Sequence, residues 1–138
     1  MGQGVIFVLE DEVAVRTVLV DALSSAGHDV REFGDGQQAL DAVDRALPEL
    51  ILLDMRMPRM DGFKFLSALR RKPAAKRVPV IIVSGLGDEL LQTIDARAAE
   101  ELGVAGIFAK PFDIPTLLRY VSSVIGRDGR LGASPAKL

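Results

Sequence analysis

Four apolar runs in this chain each end on polar groups able to do chemistry. Val5–Leu9 is followed by Glu10 and Asp11, Leu50–Leu53 by Asp54, Val80–Val83 by Ser84, and Ile107–Ala109 by Lys110. If these runs are strands of one sheet, their ends converge on a single polar rim. Three carboxylates gathered there repel one another and have raised pKa values unless a cation compensates them. A hard divalent ion does so with oxygen ligands. Mg²⁺ suits a small octahedral site completed by waters, a backbone carbonyl and a substrate phosphate, and Mn²⁺ is the alternative. Asp54, at the end of a central run, is then the candidate nucleophile, with Glu10 and Asp11 holding the metal. A phosphoryl group under attack spreads negative charge over three oxygens. The metal meets that charge on one side, the Lys110 ammonium on another, and the Ser84 hydroxyl can donate to a third oxygen. Taken singly the groups read more plainly: Glu10, Asp11 and Glu12 as a charged helix start, Ser84 as a cap or turn residue, Lys110 as a solvated side chain.

The elements that must position these groups follow from periodicity. Short unbroken apolar runs, Val5–Leu9, Leu50–Leu53 and Val78–Val83, alternate with stretches of helical period, the pattern of a parallel sheet covered on both faces. Weaker strand candidates are Asp29–Phe33 and Val104–Ala109. Between the strands, Val15, Val18, Leu19, Ala22 and Ala26 recur at helical spacing, and so do Ala39, Leu40, Val43 and Leu47. Asp35 with Gln38 resembles a capping box. Further helices fit Gly62–Arg71 with Phe65, Leu66 and Leu69 inward, Asp88–Leu102 through Leu91, Ile94, Ala98 and Leu102, and Ile114–Ile125 through Leu117, Leu118, Val121 and Ile125, the last capped by Asp113. The economical architecture is a doubly wound (βα)5 α/β domain with right-handed crossovers, its ligand site beyond the carboxyl ends of the strands. Periodicity does not supply the strand order. Pro58 and the Asp61–Gly62 pair punctuate the loop after Asp54. Lys110 precedes Pro111, so that peptide can be trans or cis.

Size and composition bound the rest. A chain of 138 residues is one domain's worth, with no cysteine for disulfide or thiolate chemistry and one histidine, His28. A net charge of −2 with both signs interspersed gives no electrostatic footprint for nucleic acid or an anionic membrane. No apolar run approaches the roughly 20 residues that cross a bilayer, and no signal peptide is visible, so a cytoplasmic protein is expected. Residues 1–125 read as the folded domain. Residues 126–138, rich in glycine and poor in apolar period, read as a flexible tail or the start of a linker.

The stretches VIFVLEDE (Val5–Glu12), LILLDMRMPRMDG (Leu50–Gly62), PVIIVSG (Pro79–Gly85) and IFAKPF (Ile107–Phe112) together resemble the receiver domains of bacterial two-component response regulators, in that family's order. The resemblance implies a parallel sheet of order 2-1-3-4-5. It implies Asp54 as the phosphoacceptor, Mg²⁺ held by Glu10, Asp11, Asp54 and the backbone carbonyl of Arg56, Ser84 as the hydroxyl that senses the phosphoryl group, and Lys110 as the basic contact. The donor it implies is a sensor histidine kinase or a histidine phosphotransfer protein. The readers it implies are a downstream protein, an output domain beyond this chain, or a homodimer through the face of the fourth helix, fifth strand and fifth helix. Such a module catalyses its own phosphorylation and autodephosphorylation and has no metabolic substrate. A receiver-like domain that binds its partner without phosphorylation is the alternative. An aspartyl-phosphate phosphatase fits poorly, since Arg56 stands where its second acid is needed. A dinucleotide fold fits poorly too, because no Gly-x-Gly-x-x-Gly turn follows the first strand.

Two features depart from that family pattern. Ile107, three residues before Lys110, stands where the family usually carries a Tyr or Phe that turns with the hydroxyl residue, and Phe108 should face the opposite way. The segment from Ser84 to Lys110 is several residues longer than usual, which predicts altered geometry on the output face. Arg56 and Leu86, two residues after Asp54 and Ser84, are expected to influence phosphate lifetime.

Overall fold

The computed structural model describes residues 4–85 and 96–126. Leu86, the first part of the expected fourth helix with Leu91 and Ile94, and residues 127–138 lie outside the described residues. Five parallel strands, β1 (Val5–Leu9), β2 (Asp29–Phe33), β3 (Leu50–Leu53), β4 (Val80–Ser84) and β5 (Val104–Ala109), form one sheet in the order β2-β1-β3-β4-β5. Among the described residues the helices are α1 (Val13–Ser25), α2 (Gly36–Arg45), α3 (Gly62–Arg70), α4 (Ala96–Leu102) and α5 (Ile114–Gly126), with a 3-10 turn at Pro73–Ala75. None is long and apolar enough to cross a membrane.

Apart from Ser84 at the end of β4, the three inner strands are unbroken apolar runs because both of their faces are buried. Successive side chains alternate between faces and build two cores. Phe7, Leu9, Ile51, Leu53 and Ile82 pack with Ala39, Leu40 and Val43 of α2 and Phe65, Leu66 and Leu69 of α3. Ile6, Val8, Leu50, Leu52, Ile81 and Val83 pack on the other side with Leu19 and Leu23 of α1 and Leu117 and Val121 of α5. The edge strands β2 and β5 are only partly covered, which explains their weaker sequence signal.

The same alternation separates Ile107 from Phe108. Ile107 packs against the core beneath α2 and α3, whereas Phe108 joins the other core. There Phe108 meets Tyr120 of α5 edge-on, with ring centroids 5.5 Å apart. The Tyr120 hydroxyl donates to the carbonyl of Ala105, the residue skipped where the β4–β5 register shifts from Val80↔Val104 to Ile81↔Gly106.

Three expectations need correction. Val18 is 49% exposed and Ala26 is the residue that ends α1, so the inward stripe of that helix rests on Leu19 and Leu23. Helix α2 stops at Arg45, where Ala46 turns extended, and Leu47 beyond it is 47% exposed. Pro48 disfavours helical geometry at Leu47. Strand β4 begins at Val80 rather than Val78, because Pro79 has no N–H to give, and it extends to Ser84, whose carbonyl accepts the Lys110 N–H at 3.0 Å.

Caps were legible: Asp35 Oδ1 accepts the N–H groups of Gln37 and Gln38 at 2.8 and 3.2 Å, and Asp113 Oδ2 accepts that of Thr116 at 2.9 Å. A further cap, Asp61 on the N–H of Lys64 at 3.0 Å, starts α3.

Candidate functional site

Register brings the polar run ends together. Leu9 pairs with Phe33 on one side and Leu53 on the other, so Glu10 and Asp54 emerge side by side from the carboxyl ends of β1 and β3. Their main chains continue the ladder: the Glu10 N–H donates to Phe33 O and the Asp54 N–H to Leu9 O, each at 3.0 Å. Ser84 pairs with Ala109, which sets Lys110 at the next step beyond β5. The Lys110–Pro111 peptide is cis.

Carboxylate oxygens of Glu10, Asp11 and Asp54 lie within 4.8 Å of one another. Glu10 and Asp54 are only 1% and 4% exposed, while Asp11 faces solvent. Above them opens a pocket of about 440 Å³ lined by Asp11, Glu12, Asp54, Arg56, Gly85 and Lys110. Asp54 Oδ1 accepts the Arg56 N–H at 3.1 Å, and its Oδ2 lies 3.5 Å from Lys110 Nζ. Glu10 Oε2 accepts the Glu12 N–H at 3.1 Å. Glu10 Oε1 lies 3.0 Å from Lys110 Nζ, an ion pair that is this buried oxygen's contact with a positive charge.

Electrostatics follow from this crowding. Burial pushes the Glu10 carboxyl above its ordinary value and the Asp54 charge adds to the rise, while Lys110 and the Glu12 N–H pull it back. Burial by itself would lower the Lys110 pKa, but Glu10 and Asp54 outweigh it and hold the ammonium above its ordinary value. Lys110 contacts two of the three clustered carboxylates, Glu10 and Asp54. The residues present therefore fit a hard divalent cation, on three carboxylate oxygen donors within reach of one ion.

Of the residues singled out from sequence, Glu10, Asp11, Asp54 and Lys110 are brought together, and Arg56 lines the pocket beside them. Ser84 is fully buried at the end of β4, with Gly85 rather than Ser84 on the pocket wall. Arg16 was not anticipated. Its Nη1 donates to the Glu10 carbonyl at 2.7 Å and its Nε to Glu32 Oε1 at 3.1 Å. The available signal was its place at the end of the first turn of α1, because helical side chains tilt toward the N-terminus and a long one there reaches back over the β1–α1 loop.

A fold of order 2-1-3-4-5 with this acidic cluster and lysine at its carboxyl edge defines a class, and the family model for the response regulator receiver domain matches residues 6–122. The chain belongs to that family. It is 33% identical over 122 residues to a probable chemotaxis protein CheY of Rhizobium etli, covering 88% of this chain and 92% of that one. It is 36% identical over 110 residues to sporulation initiation phosphotransferase F of Bacillus subtilis, covering 79% and 83%. The receiver domain of a sensor histidine kinase from Pseudomonas aeruginosa, solved with a magnesium ion in its active-site cleft, superposes with a TM-score of 0.77 at 30% identity, over 91% of this chain and 99% of that one. Against longer relatives, such as a probable transcriptional regulator ycf27 of Porphyridium aerugineum, the chain spans 48% of the protein.

Proposed function

We propose that this chain is a cytoplasmic phospho-receiver: Asp54 takes a phosphoryl group from the phosphohistidine of a sensor histidine kinase or histidine phosphotransfer protein, with Mg²⁺ held by Glu10, Asp11, Asp54 and the Arg56 carbonyl. The observation that carries this reading is the Lys110 ammonium lying 3.0 Å from Glu10 and 3.5 Å from Asp54, beside the cluster of Glu10, Asp11 and Asp54 carboxylates. Bound Mg²⁺ would supply charge compensation to the carboxylates and to the transferring oxygens.

The chain's own groups do the rest. The Arg56 N–H fixes the Asp54 rotamer by holding Oδ1. A new bond forms between an Asp54 carboxylate oxygen and phosphorus as the P–N bond breaks, and its electron pair returns to the imidazole, which takes a proton and ends neutral. Lys110 offsets charge that develops on the phosphoryl oxygens, and the buried Ser84 hydroxyl is the proposed sensor of the phosphoryl group. Later attack by water on phosphorus returns Asp54 and inorganic phosphate. The phosphoryl group biases a two-state surface around Ser84 and Ile107. Its readers would be a downstream protein, an output domain beyond residue 138, or a second copy docked through α4, β5 and α5.

Incubation with acetyl phosphate, with and without Mg²⁺, followed by intact mass measurement of the parent and Asp54→Asn, tests the acceptor. The expected result is one added phosphoryl group that needs both Mg²⁺ and Asp54. If folded parent protein gains none, the reading fails. Ile107 in place of a ring favours one alternative, a partner-binding domain indifferent to phosphorylation, for which Asp54→Asn and phosphorylated parent would bind the partner equally.

A further inference from the structure

Glu10 is gripped from its main chain as well as its side chain. Its N–H is held by Phe33 O of β2 at 3.0 Å, and its carbonyl accepts Arg16 Nη1 at 2.7 Å. The Arg16 guanidinium is itself steadied by Glu32 on the same β2 strand, at 3.1 Å. The Arg16 N–H also donates to Glu12 O at 3.0 Å, which closes the first turn of α1 directly after Glu10 and Asp11. The loop bearing two of the three clustered carboxylates is thus tied to α1 and to the β2 edge by one side chain.

We propose that Arg16 is a positioning residue for the acidic pair: by holding the Glu10 carbonyl it sets the direction in which Glu10 and Asp11 present their carboxylates to a divalent cation. This rests on the metal-binding reading of Glu10, Asp11 and Asp54 given above. Two effects of Arg16 oppose each other. Orienting the ligands strengthens metal binding, whereas a nearby positive charge weakens it. Orientation wins because Arg16 is paired with Glu32, so the two together carry no net charge and leave only a weak field at the site.

Gly34 supplies a test that adds and removes no charged group. A Cβ built there would lie 2.9 Å from Arg16 Nη1, and within 4 Å it would meet Arg16 atoms alone among the described residues. Gly34 is not among the positive-φ glycines, so alanine is compatible with its backbone. Gly34→Ala therefore pushes the guanidinium off the Glu10 carbonyl while leaving the three clustered carboxylates unaltered.

The experiment is titration of MgCl₂ into ¹⁵N-labelled protein, reading amide shifts around Glu10, Asp11 and Asp54, for the parent, Gly34→Ala, Arg16→Ala, Arg16→Lys, the Gly34→Ala/Arg16→Ala pair and Asp54→Asn. Loss of a group that orients a metal ligand typically weakens affinity by about tenfold or more. Gly34→Ala and Arg16→Ala should each raise the Mg²⁺ dissociation constant about tenfold. Arg16→Lys, which retains a donor, should recover part of the loss. In the pair, Gly34→Ala should add nothing to Arg16→Ala, since both act through one contact. Tighter binding in Arg16→Ala, or a Gly34→Ala constant within about twofold of the parent, overturns the role of Arg16 while parent binding that depends on Asp54 leaves the metal reading standing. A folded parent that shows no Asp54-dependent Mg²⁺ binding overturns both. If Arg16→Ala does not fold, Gly34→Ala and Arg16→Lys decide the outcome.

Discussion

Replacing Lys110 by methionine keeps the stem and removes the charge that sits between two buried carboxylates. At 3.0 Å from Glu10 and 3.5 Å from Asp54, each contact carries about 5 kcal/mol of Coulomb energy at an effective permittivity near 20. Dehydration of an ammonium that is 20% exposed cancels several kcal/mol of this. A second route limits the loss further, because an uncompensated Glu10 can take up a proton instead. From its ordinary value of 4.5, protonation at pH 7 costs about 3.4 kcal/mol, which is the ceiling for that contact. Lys110→Met should therefore lose about 2–3 kcal/mol at pH 7 in urea unfolding with EDTA present. At pH 5 the ceiling falls to about 0.7 kcal/mol, and the deficit should shrink with it. Adding MgCl₂ should also shrink it, since the cation takes over the compensation and stabilises only the folded state. Glu10→Gln should move the other way. The folded Glu10 pKa lies above its unfolded value, so its contribution is present below the unfolded pKa and is lost as pH rises through the folded one. Metal-free Glu10→Gln should accordingly be more stable than the parent at neutral pH, the gap closing below about pH 4.5. Equal or greater stability of Lys110→Met in EDTA at pH 7 would falsify the assignment of Lys110 as the counter-charge of this site.

Asp35 caps α2 and also receives Arg59 Nη1 at 2.8 Å from the loop after Asp54, so Asp35→Ala should lower stability by about 1 kcal/mol. Arg59 first, then the Gln38 N–H, hold the Asp35 carboxyl below its ordinary value of 3.8. The benefit is present above that value and disappears as pH falls through the lower folded pKa, so parent and variant should converge in acid unfolding; a constant difference down to the acid transition counts against it. Arg70 donates to the carbonyls of Leu102, Ala75 and Gly103 at 2.7, 2.8 and 3.2 Å, tying α3 to the end of α4. Arg70→Met leaves these part-buried carbonyls without that donor and should cost about 3 kcal/mol in denaturant unfolding, whereas a loss under about 1 kcal/mol would mean that water replaces the guanidinium. Arg56→Asn and Leu86→Ala should change the dephosphorylation rate of the acetyl phosphate product, and unchanged rates in both would reject a role for these positions in phosphate lifetime.

The chain declared its inner strands and the groups at their ends. Val5–Leu9 and Leu50–Leu53 are apolar throughout because helices cover both faces, and that burial leaves its mark on every residue of the run. A polar residue directly after such a run must lie at the rim, which is why Glu10, Asp54 and Lys110 were legible. Helix faces were less so. Val18 and Leu47 fit the apolar period yet stand half exposed, because period identifies a face but not whether a neighbour covers it, and Pro48 ends the path of α2 before Leu47.

What tertiary structure alone decided is convergence. The pairing of Leu9 with Leu53 and of Ser84 with Ala109 puts Glu10 beside Asp54 and Lys110 within reach of both, and register is a choice between strands distant in the chain that no local pattern encodes. The hold of Arg16 on Glu10 and Glu32 is of the same kind, since it exists only once α1 has packed across the ends of β1 and β2. Residue types therefore determined which chemistry was available, and the long-range pairing of strands determined that four separate run ends became one site.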